Sequence, residues 1–592
     1  MYSIERFTID ELIEKSSEQY RGRPALALFG GDPVNYEELE PRTRRVAALL
    51  GLLGARPGDR VALVAESCPA WGLAYLGISR SGCVAVPILT DFTAEQVANI
   101  LEHSESRIAF VSRRFVGKLA APAGGSAGDG AAEHAAEKAA AARTLIDIEG
   151  FSVLASSAAT AVPKKEAIDS AAAALGLPAL RPDDLAAIVY TSGTTGRSKG
   201  VMLTQRNLVH NAWAVRFIMR IGRTDRLLSI LPLAHTYEFS VGFLYPLMQG
   251  SSIYYLDRPP SPSVLLPALK ALRPTIMLTV PLIIEKIYQG SVKPALEAVP
   301  ALEAVPPLAR RLLGPLLEQV AGFKLRRSLG GRLRIFGIGG APLAPEVERF
   351  LHRIRFPCAM GYGLTETSPL AAGSSPRGFR LRSIGPAIRG TELRIAEPRP
   401  DSGEGEIQVR GPNVMAGYYK DPARTQEAFT QDGWFRTGDL GLLDARRRLS
   451  VRGRLKTVII GASGENIYPE EIEALLNCSP YVAESLVYGD RSGLVALVQL
   501  RPETLQELGA RVQDGIDGAG AMAAELGAAV RHAITGAETA LDHSLAPLLE
   551  RIRQETNSRL AAFSRIARVK LQVEPFEKTP TQKIKRFLYP RK

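Results

Sequence analysis

Between residues 45 and 110 the chain alternates two hydrophobic rhythms. VAALLGLLGA (46–55) and AWGLAYLGISRSG (70–82) carry apolar residues at helical spacing, the second closed by glycine. DRVALVA (59–65), CVAVPIL (83–89) and RIAFVS (107–112) are short β-rich runs. Strands that alternate with helices form βαβ units, which build a mainly parallel sheet with helices on its faces. The rhythm continues over 183–460 and changes past Gly453. There the polar segment GRLKTVIIGASGENIYPEEIE leads into a smaller region, in which 503–563 reads as mostly helical and RVKLQVE (568–574) as a late strand. We expect an α/β chain with a large N-terminal domain over 1–453, made of mainly parallel sheets flanked by helices. A small, mobile α+β domain follows over 454–592. The Ala/Gly-rich stretch 118–143 is low in complexity and reads as an exposed insertion.

A length of 592 residues exceeds what one hydrophobic core supports, in line with two domains. Cys68, Cys83, Cys358 and Cys478 lie far apart without a CxxC pair. That speaks against a disulfide framework or a zinc cluster, and for a reducing, cytoplasmic setting. No uncharged apolar run reaches about 18 residues, so no membrane span is expected. The start, MYSIERFTIDELIEK, lacks the apolar core of a signal peptide. The net charge of +12 is scattered, and such a charge chiefly sets solubility. Its densest run, FKLRRSLGGRLR (323–334), has no interleaved aromatics and is not read as a nucleic-acid site. Peripheral contact with an anionic membrane face is the other use such a run can have.

The stretch with the most chemistry is YTSGTTGRSKGVMLT (190–204). It joins two β-prone runs, LAAIVY and GVMLT, through Thr191 to Lys199, too many residues for a tight hairpin turn. Thr204 can cap a helix that begins at Gln205 and runs through NLVHNAWAVRFIM. Gly193, Gly196 and Gly200 let the backbone turn its N–H groups toward a ligand. Thr191, Ser192, Thr194, Thr195 and Ser198 add hydroxyls, and Lys199 adds a cation. The set suits a polyphosphate. It is not a Walker A loop, because Ser198 stands where that loop needs glycine.

Over its full length the stretch resembles the phosphate-binding motif of the AMP-forming adenylating enzymes, which include acyl-CoA synthetases, peptide-synthetase adenylation domains and luciferases. Further segments resemble that family in order: LPLAHTYEF (231–239), GIGGAP (337–342), GYGLTET (361–367), GEIQVRGPNVMAGYYKDP (405–422), GWFRTGDLG (433–441), GRLK (453–456), GASGENIYPEEIE (461–473) and EKTPTQKIKR (577–586). The resemblance implies a role for each matching residue. Thr191, Ser192, Gly193, Thr194, Thr195 and Lys199 hold phosphates. Gly340, Ala341 and Pro342 border the adenine, and Tyr362 stacks on it, within Gly361, Gly363 and Leu364. Thr365 contacts the α-phosphate, and Glu366 with Thr191 ligates Mg²⁺. Asp439 binds the ribose and Arg454 the ribose or phosphate. His235 stands at the acyl-pocket entrance. Lys456 is the interdomain hinge, Gly464, Glu465 and Asn466 line a CoA tunnel, and Lys583 is the adenylation lysine. Two positions depart from the commoner family form: Lys456, where many relatives carry Asp, and Gln582, where glycine usually precedes the lysine.

The implied cofactors are ATP, Mg²⁺ and CoA. The implied reaction joins a carboxylic acid to AMP with loss of pyrophosphate, then transfers the acyl group to CoA. Position 235 holds no acid to pair with an amino-acid ammonium, although Glu238 is near. FSVGFLYPL (239–247) suits either a hydrocarbon pocket or core packing. Among subfamilies the chain looks most like bacterial long-chain fatty acyl-CoA synthetases. Transfer to a carrier protein and a non-catalytic nucleotide- or lipid-binding role remain the alternatives.

Overall fold

The computed structural model describes residues 3–120, 143–156, 162–191, 199–297, 307–460, 466–490, 493–505, 538–579 and 584–589. The chain divides into two compact units. The first takes in Met1–Ile284, Ser291–Ala341 and Glu348–Val451, and the second Glu285–Gly290, Pro342–Val347 and Arg452–Lys592.

In the first unit the βαβ rhythm of 45–110 is realised. Strands Arg60–Val64, Val84–Pro87 and Ile108–Val111 pair in parallel. Helices Tyr36–Leu52, Pro69–Arg80 and Ala94–Ser104 punctuate them. Val61 to Val64 are all buried, as a strand covered on both faces requires. The full sheet has eight strands. Leu185–Thr191 extends the parallel set, and Lys199–Thr204 and Gly417–Tyr418 close that edge in antiparallel pairing. A second eight-stranded sheet runs parallel through Pro24–Leu28, Ser252–Tyr255, Arg226–Ser229, Ile276–Thr279, Ile335–Ile338 and Cys358–Gly363, with Leu370–Gly373 antiparallel at one edge. One continuous core joins both sheets through helices Pro69–Arg80 and Gln205–Val215. An antiparallel sheet of five strands carries Phe435–Leu443 near its centre.

In the second unit Gly493–Leu500 pairs antiparallel with Val482–Asp490 and parallel with Ile566–Leu571. Helices Pro469–Leu476 and Glu538–Asn557 bury Ile472, Leu476, Leu545 and Ile552 against them. Residues 121–142 and 506–537, which hold most of the low-complexity stretch and much of 503–563, lie outside the described residues.

Candidate active site

Strands Leu185–Thr191 and Lys199–Thr204 pair with Thr191 opposite Lys199. Ser192, Gly193, Thr194 and Thr195, the predicted phosphate contacts between them, lie outside the described residues. The two anchors of the loop are described. Thr191 buries its Oγ1 with no partner among the described residues. Lys199 Nζ stands 3.1 Å from Glu366 Oε1 and 3.0 Å from Tyr418 Oη. Gly417–Tyr418 is the next strand along, with Tyr418 opposite Val201. The Tyr418 hydroxyl donates to Glu366 Oε1 at 2.9 Å. Burial above all, and the Glu366 carboxylate second, push the Tyr418 pKa up and keep its proton on. A buried, unpartnered hydroxyl and a carboxylate are the hard oxygen donors that a magnesium ion takes. A neutral polar group buried without a partner costs about 1–3 kcal/mol, so the Thr191 hydroxyl gains from any ligand that meets it.

Helix Gln205–Val215 positions Glu366. Thr204 caps it as expected, its side chain accepting from Asn207 N at 3.2 Å while Thr204 N donates to Asn207 Oδ1 at 2.8 Å. Such a cap is worth about 1 kcal/mol. One turn on, Asn211 Nδ2 donates to the carbonyls of Thr367 and Leu370 at 3.1 and 2.8 Å. Asn413 Nδ2 donates to the same two carbonyls at 3.1 and 3.0 Å. Asn207 Nδ2 in turn holds the carbonyls of Pro412 and Val414. The turn Thr365–Thr367 is thus clamped from two sides, and Met415 N donates to the Glu366 carbonyl at 2.9 Å.

Strand Cys358–Gly363 delivers Gly361, Tyr362 and Gly363, followed by Leu364 and Thr365. A side chain at Gly363 would collide with the Pro369 carbonyl, so the turn closes only with glycine there. The Tyr362 hydroxyl donates to Asp439 Oδ2 at 2.8 Å. Asp439 is buried in Phe435–Leu443. The residue expected under an adenine and the residue expected on a ribose are therefore joined directly. Gly340, at φ +89°, and Ala341 end the loop after Ile335–Ile338, exposed. Pro342 is counted with the second unit.

Next to this group lies a small apolar cavity of about 20 Å³. Val215, Met219, Tyr237, Val241, Leu278 and Gly361 contribute to its wall. Tyr237 packs on glycines: an added Cβ would stand 3.0 Å from its Oη at Gly337 and 3.4 Å from its ring at Gly339. His235, two residues earlier, is half-buried, and its Nδ1 accepts from Tyr237 N at 3.3 Å. The stretch 239–247 is divided between the cavity wall and the core. Val241 faces the cavity. Phe239 packs on Trp71 and Tyr75, and Phe243 packs on Phe239. Glu238–Leu244 is a π-helix. There the Glu238 side chain lies over Gly242, where a Cβ would come 2.7 Å from the carboxyl. Ser229 Oγ donates to Glu238 Oε1 at 2.5 Å, and burial pushes the Glu238 pKa up to about 8. A neutral, fully buried carboxyl has no part in pairing a substrate ammonium.

The remaining predicted residues belong to the second unit. Arg454 ends strand Arg448–Arg454 and Lys456 lies in the turn after it, both exposed, and the Arg454 carbonyl accepts from Thr457 N and Val458 N. Asn466 begins strand Asn466–Ile467, with Nδ2 donating to Tyr468 Oη at 3.2 Å. Gly464, Glu465 and Lys583 lie outside the described residues. Close to Lys583 in sequence, Arg586 binds the Glu473 carboxylate of helix Pro469–Leu476 and donates to the Val487 carbonyl at 3.4 Å. Among these contacts Tyr418, Asn211, Asn413 and Glu473 are not signalled by residue type. Tyr418, Asn413 and Glu473 stand inside segments that resemble the family, but only the fold gives each its partner.

The AMP-binding enzyme family matches residues 13–419 of the chain. The long-chain-fatty-acid–CoA ligase FadD15 of Mycobacterium bovis is 32% identical over 567 residues, spanning 91% of this chain and 88% of its own length. The chloroplastic long-chain-fatty-acid–[acyl-carrier-protein] ligase AEE15 of Arabidopsis thaliana is 29% identical over 589 residues, spanning 86% and 78%. Among solved structures, the ATP-bound RpMatB-BxBclM chimera B1 superposes with a TM-score of 0.70 at 25% identity, over 98% of both chains.

Proposed function

The chain belongs to the AMP-binding enzyme family, and on that premise we propose that it is an ATP-dependent ligase that activates long-chain fatty acids and passes them to CoA. The observation that carries the substrate is the similarity to a long-chain-fatty-acid–CoA ligase over 91% of the chain, and a small apolar cavity reaches Gly361, the residue before Tyr362. An acid whose tail parts the apolar side chains around that cavity would present its carboxylate to the group of Tyr362, Asp439, Thr191, Lys199 and Glu366. Each buried methylene contributes roughly 0.8 kcal/mol, so a hydrocarbon wall selects by tail length.

A carboxylate repels a thiolate, and oxide is a poor leaving group. Attack of the carboxylate oxygen on the α-phosphorus of ATP forms the acyl–phosphate bond, breaks the α–β bridge and releases pyrophosphate. No general base is required, since the nucleophile is already anionic. The work left to the chain is positioning and charge stabilisation. Tyr362, held by Asp439, offers its ring to the adenine, and Asp439 is assigned to the ribose hydroxyls. Lys199 and Lys583 meet the phosphates. Thr191 and Glu366 would hold Mg²⁺, which supplies positive charge against the phosphate oxygens. In the second step the CoA thiolate attacks the acyl carbonyl and AMP departs. We assign that step to a turn of the second unit about Lys456, which brings Gly464, Glu465 and Asn466 to the pantetheine in place of Lys583. A cytoplasmic setting, where ATP and CoA are supplied, suits the four free cysteines.

The test is pyrophosphate release across fatty acids of graded length, followed by thioester analysis with free CoA. Rising release toward long acids with acyl-CoA as product is the expected result. Release that ignores the acid would sink the reading. Release without acyl-CoA would move the acceptor to a carrier-protein pantetheine.

A further inference from the structure

Helix Pro307–Ser328 packs inward through Ala321, Gly322 and Leu325. A Cβ at Gly322 would stand 2.9 Å from Ile354 Cβ, so this side is closely fitted. On the opposite side Leu316, Val320 and Phe323 are 60%, 47% and 64% exposed. Their spacing, i, i+4 and i+7, sets them in one stripe along the helix. Large apolar side chains gathered in a row mark an interaction surface.

Cations border that stripe. Lys324 and Arg327 are exposed on the same helix. Arg353 and Arg355, also exposed, sit on the adjoining segment. That segment is tied to the helix by Gln319 Nε2 donating to the Arg353 carbonyl at 3.0 Å and Arg326 Nη2 donating to the Ile354 carbonyl at 3.0 Å. The acid within this group, Glu318, is neutralised by Arg353 at 2.7 Å. Apolar side chains in the middle and cations at the margin match the boundary between anionic headgroups and acyl chains. A second copy of the chain fits less well. In a two-fold contact the same patch meets itself, and its cations would face cations. A nucleic acid offers nothing to the apolar stripe.

We propose that the outward face of helix Pro307–Ser328 docks on an anionic lipid bilayer, with Phe323, Val320 and Leu316 entering the headgroup layer and Lys324 and Arg327 pairing with lipid phosphates. The proposal goes beyond the ligase reading and needs no part of it. Should both hold, the chain works at the surface where its oily substrate partitions.

The test is co-sedimentation of the full chain with phosphatidylglycerol–phosphatidylcholine vesicles and with pure phosphatidylcholine vesicles. It is run at about 0.1 M salt, where the screening length is about 10 Å. The chain is expected to bind the anionic vesicles and not the neutral ones. Lys324→Gln with Arg327→Gln should lower the partition coefficient about 25-fold, roughly fivefold per cation. Phe323→Ser should lower it about tenfold, and Leu316→Gln gives a second apolar variant at another exposed position. Pyrophosphate release from a detergent-presented acid should not change in any of them. Equal binding to neutral vesicles, variants that bind like the parent, or a Phe323-dependent dimer in the absence of lipid would each overturn the proposal. Vesicle binding requires no turnover, so such an outcome leaves the ligase reading standing.

Discussion

Replacing Glu238 by Gln tests the buried wall behind the apolar cavity. The carboxyl is fully buried, accepts one hydrogen bond from Ser229 and has its pKa raised from 4.5 to about 8. Below about pH 4.5 the group is protonated in both the folded and the unfolded chain, and its titration contributes nothing. Between 4.5 and 8 the unfolded chain releases a proton that the fold retains, so stability falls as pH rises. Each pH unit in that window costs about 1.4 kcal/mol. From pH 5 to pH 7.5 the loss reaches about 3 kcal/mol. A first unit of roughly 440 residues has an unfolding entropy near 0.9 kcal/mol per degree, so the loss corresponds to about 3 °C in Tm. Gln cannot ionise. Its new amide adds a pH-independent offset, while the difference in Tm between Glu238→Gln and the parent should grow by about 3 °C over that range in the variant's favour. Matched thermal scans by fluorescence at several pH values read it. A difference that stays flat from pH 5 to pH 7.5 would refute the neutral, buried carboxyl.

Three further outcomes follow from the site. Val241→Phe fills the cavity at its wall, and the chain-length optimum for pyrophosphate release should move to shorter acids. Long acids should lose about fourfold in kcat/KM for each methylene no longer buried. Tyr418→Phe removes the hydrogen bond to the Glu366 carboxylate. It should lower kcat/KM for ATP about tenfold while leaving the KM for the fatty acid unchanged, as steady-state kinetics with each substrate varied will show. Lys583→Ala should abolish acid-dependent pyrophosphate release yet spare thioester formation from supplied acyl-AMP. Arg586→Met, which frees residues 584–589 from Glu473, should weaken the first half-reaction in the same sense by about tenfold. Equal loss in both half-reactions would argue against that division.

What could be read in the chain beforehand was whatever is local. A βαβ rhythm is a property of neighbouring residues, so strands Arg60–Val64, Val84–Pro87 and Ile108–Val111 were legible, as was the Thr204 cap. Short motifs marked Thr191, Lys199, Tyr362, Glu366 and Asp439 for the same reason: each chemistry needs a residue type within a few positions of another. The contacts that make these residues into a site are not local. Lys199 and Tyr418 meet across 219 positions, and nothing in either segment names the other. Asn211 and Asn413 are unremarkable polar residues until the fold aims both at the carbonyls of Thr367 and Leu370. Nor could composition divide FSVGFLYPL between wall and core. The π-helix rotates Val241 toward the cavity and Phe239 toward Trp71, and periodicity at 3.6 residues carries no sign of that slip. Helix Gln205–Val215 stops four residues short of the expected Met219 because the backbone tightens there, with Phe217 N and Ile218 N donating to Ala214 and Val215 three residues back. That tightening places Ile218 and Met219 on the cavity wall. The apolar residues that a helical pattern would have continued are therefore cavity-lining ones, and on the proposed function the break in the pattern is where packing gives way to binding.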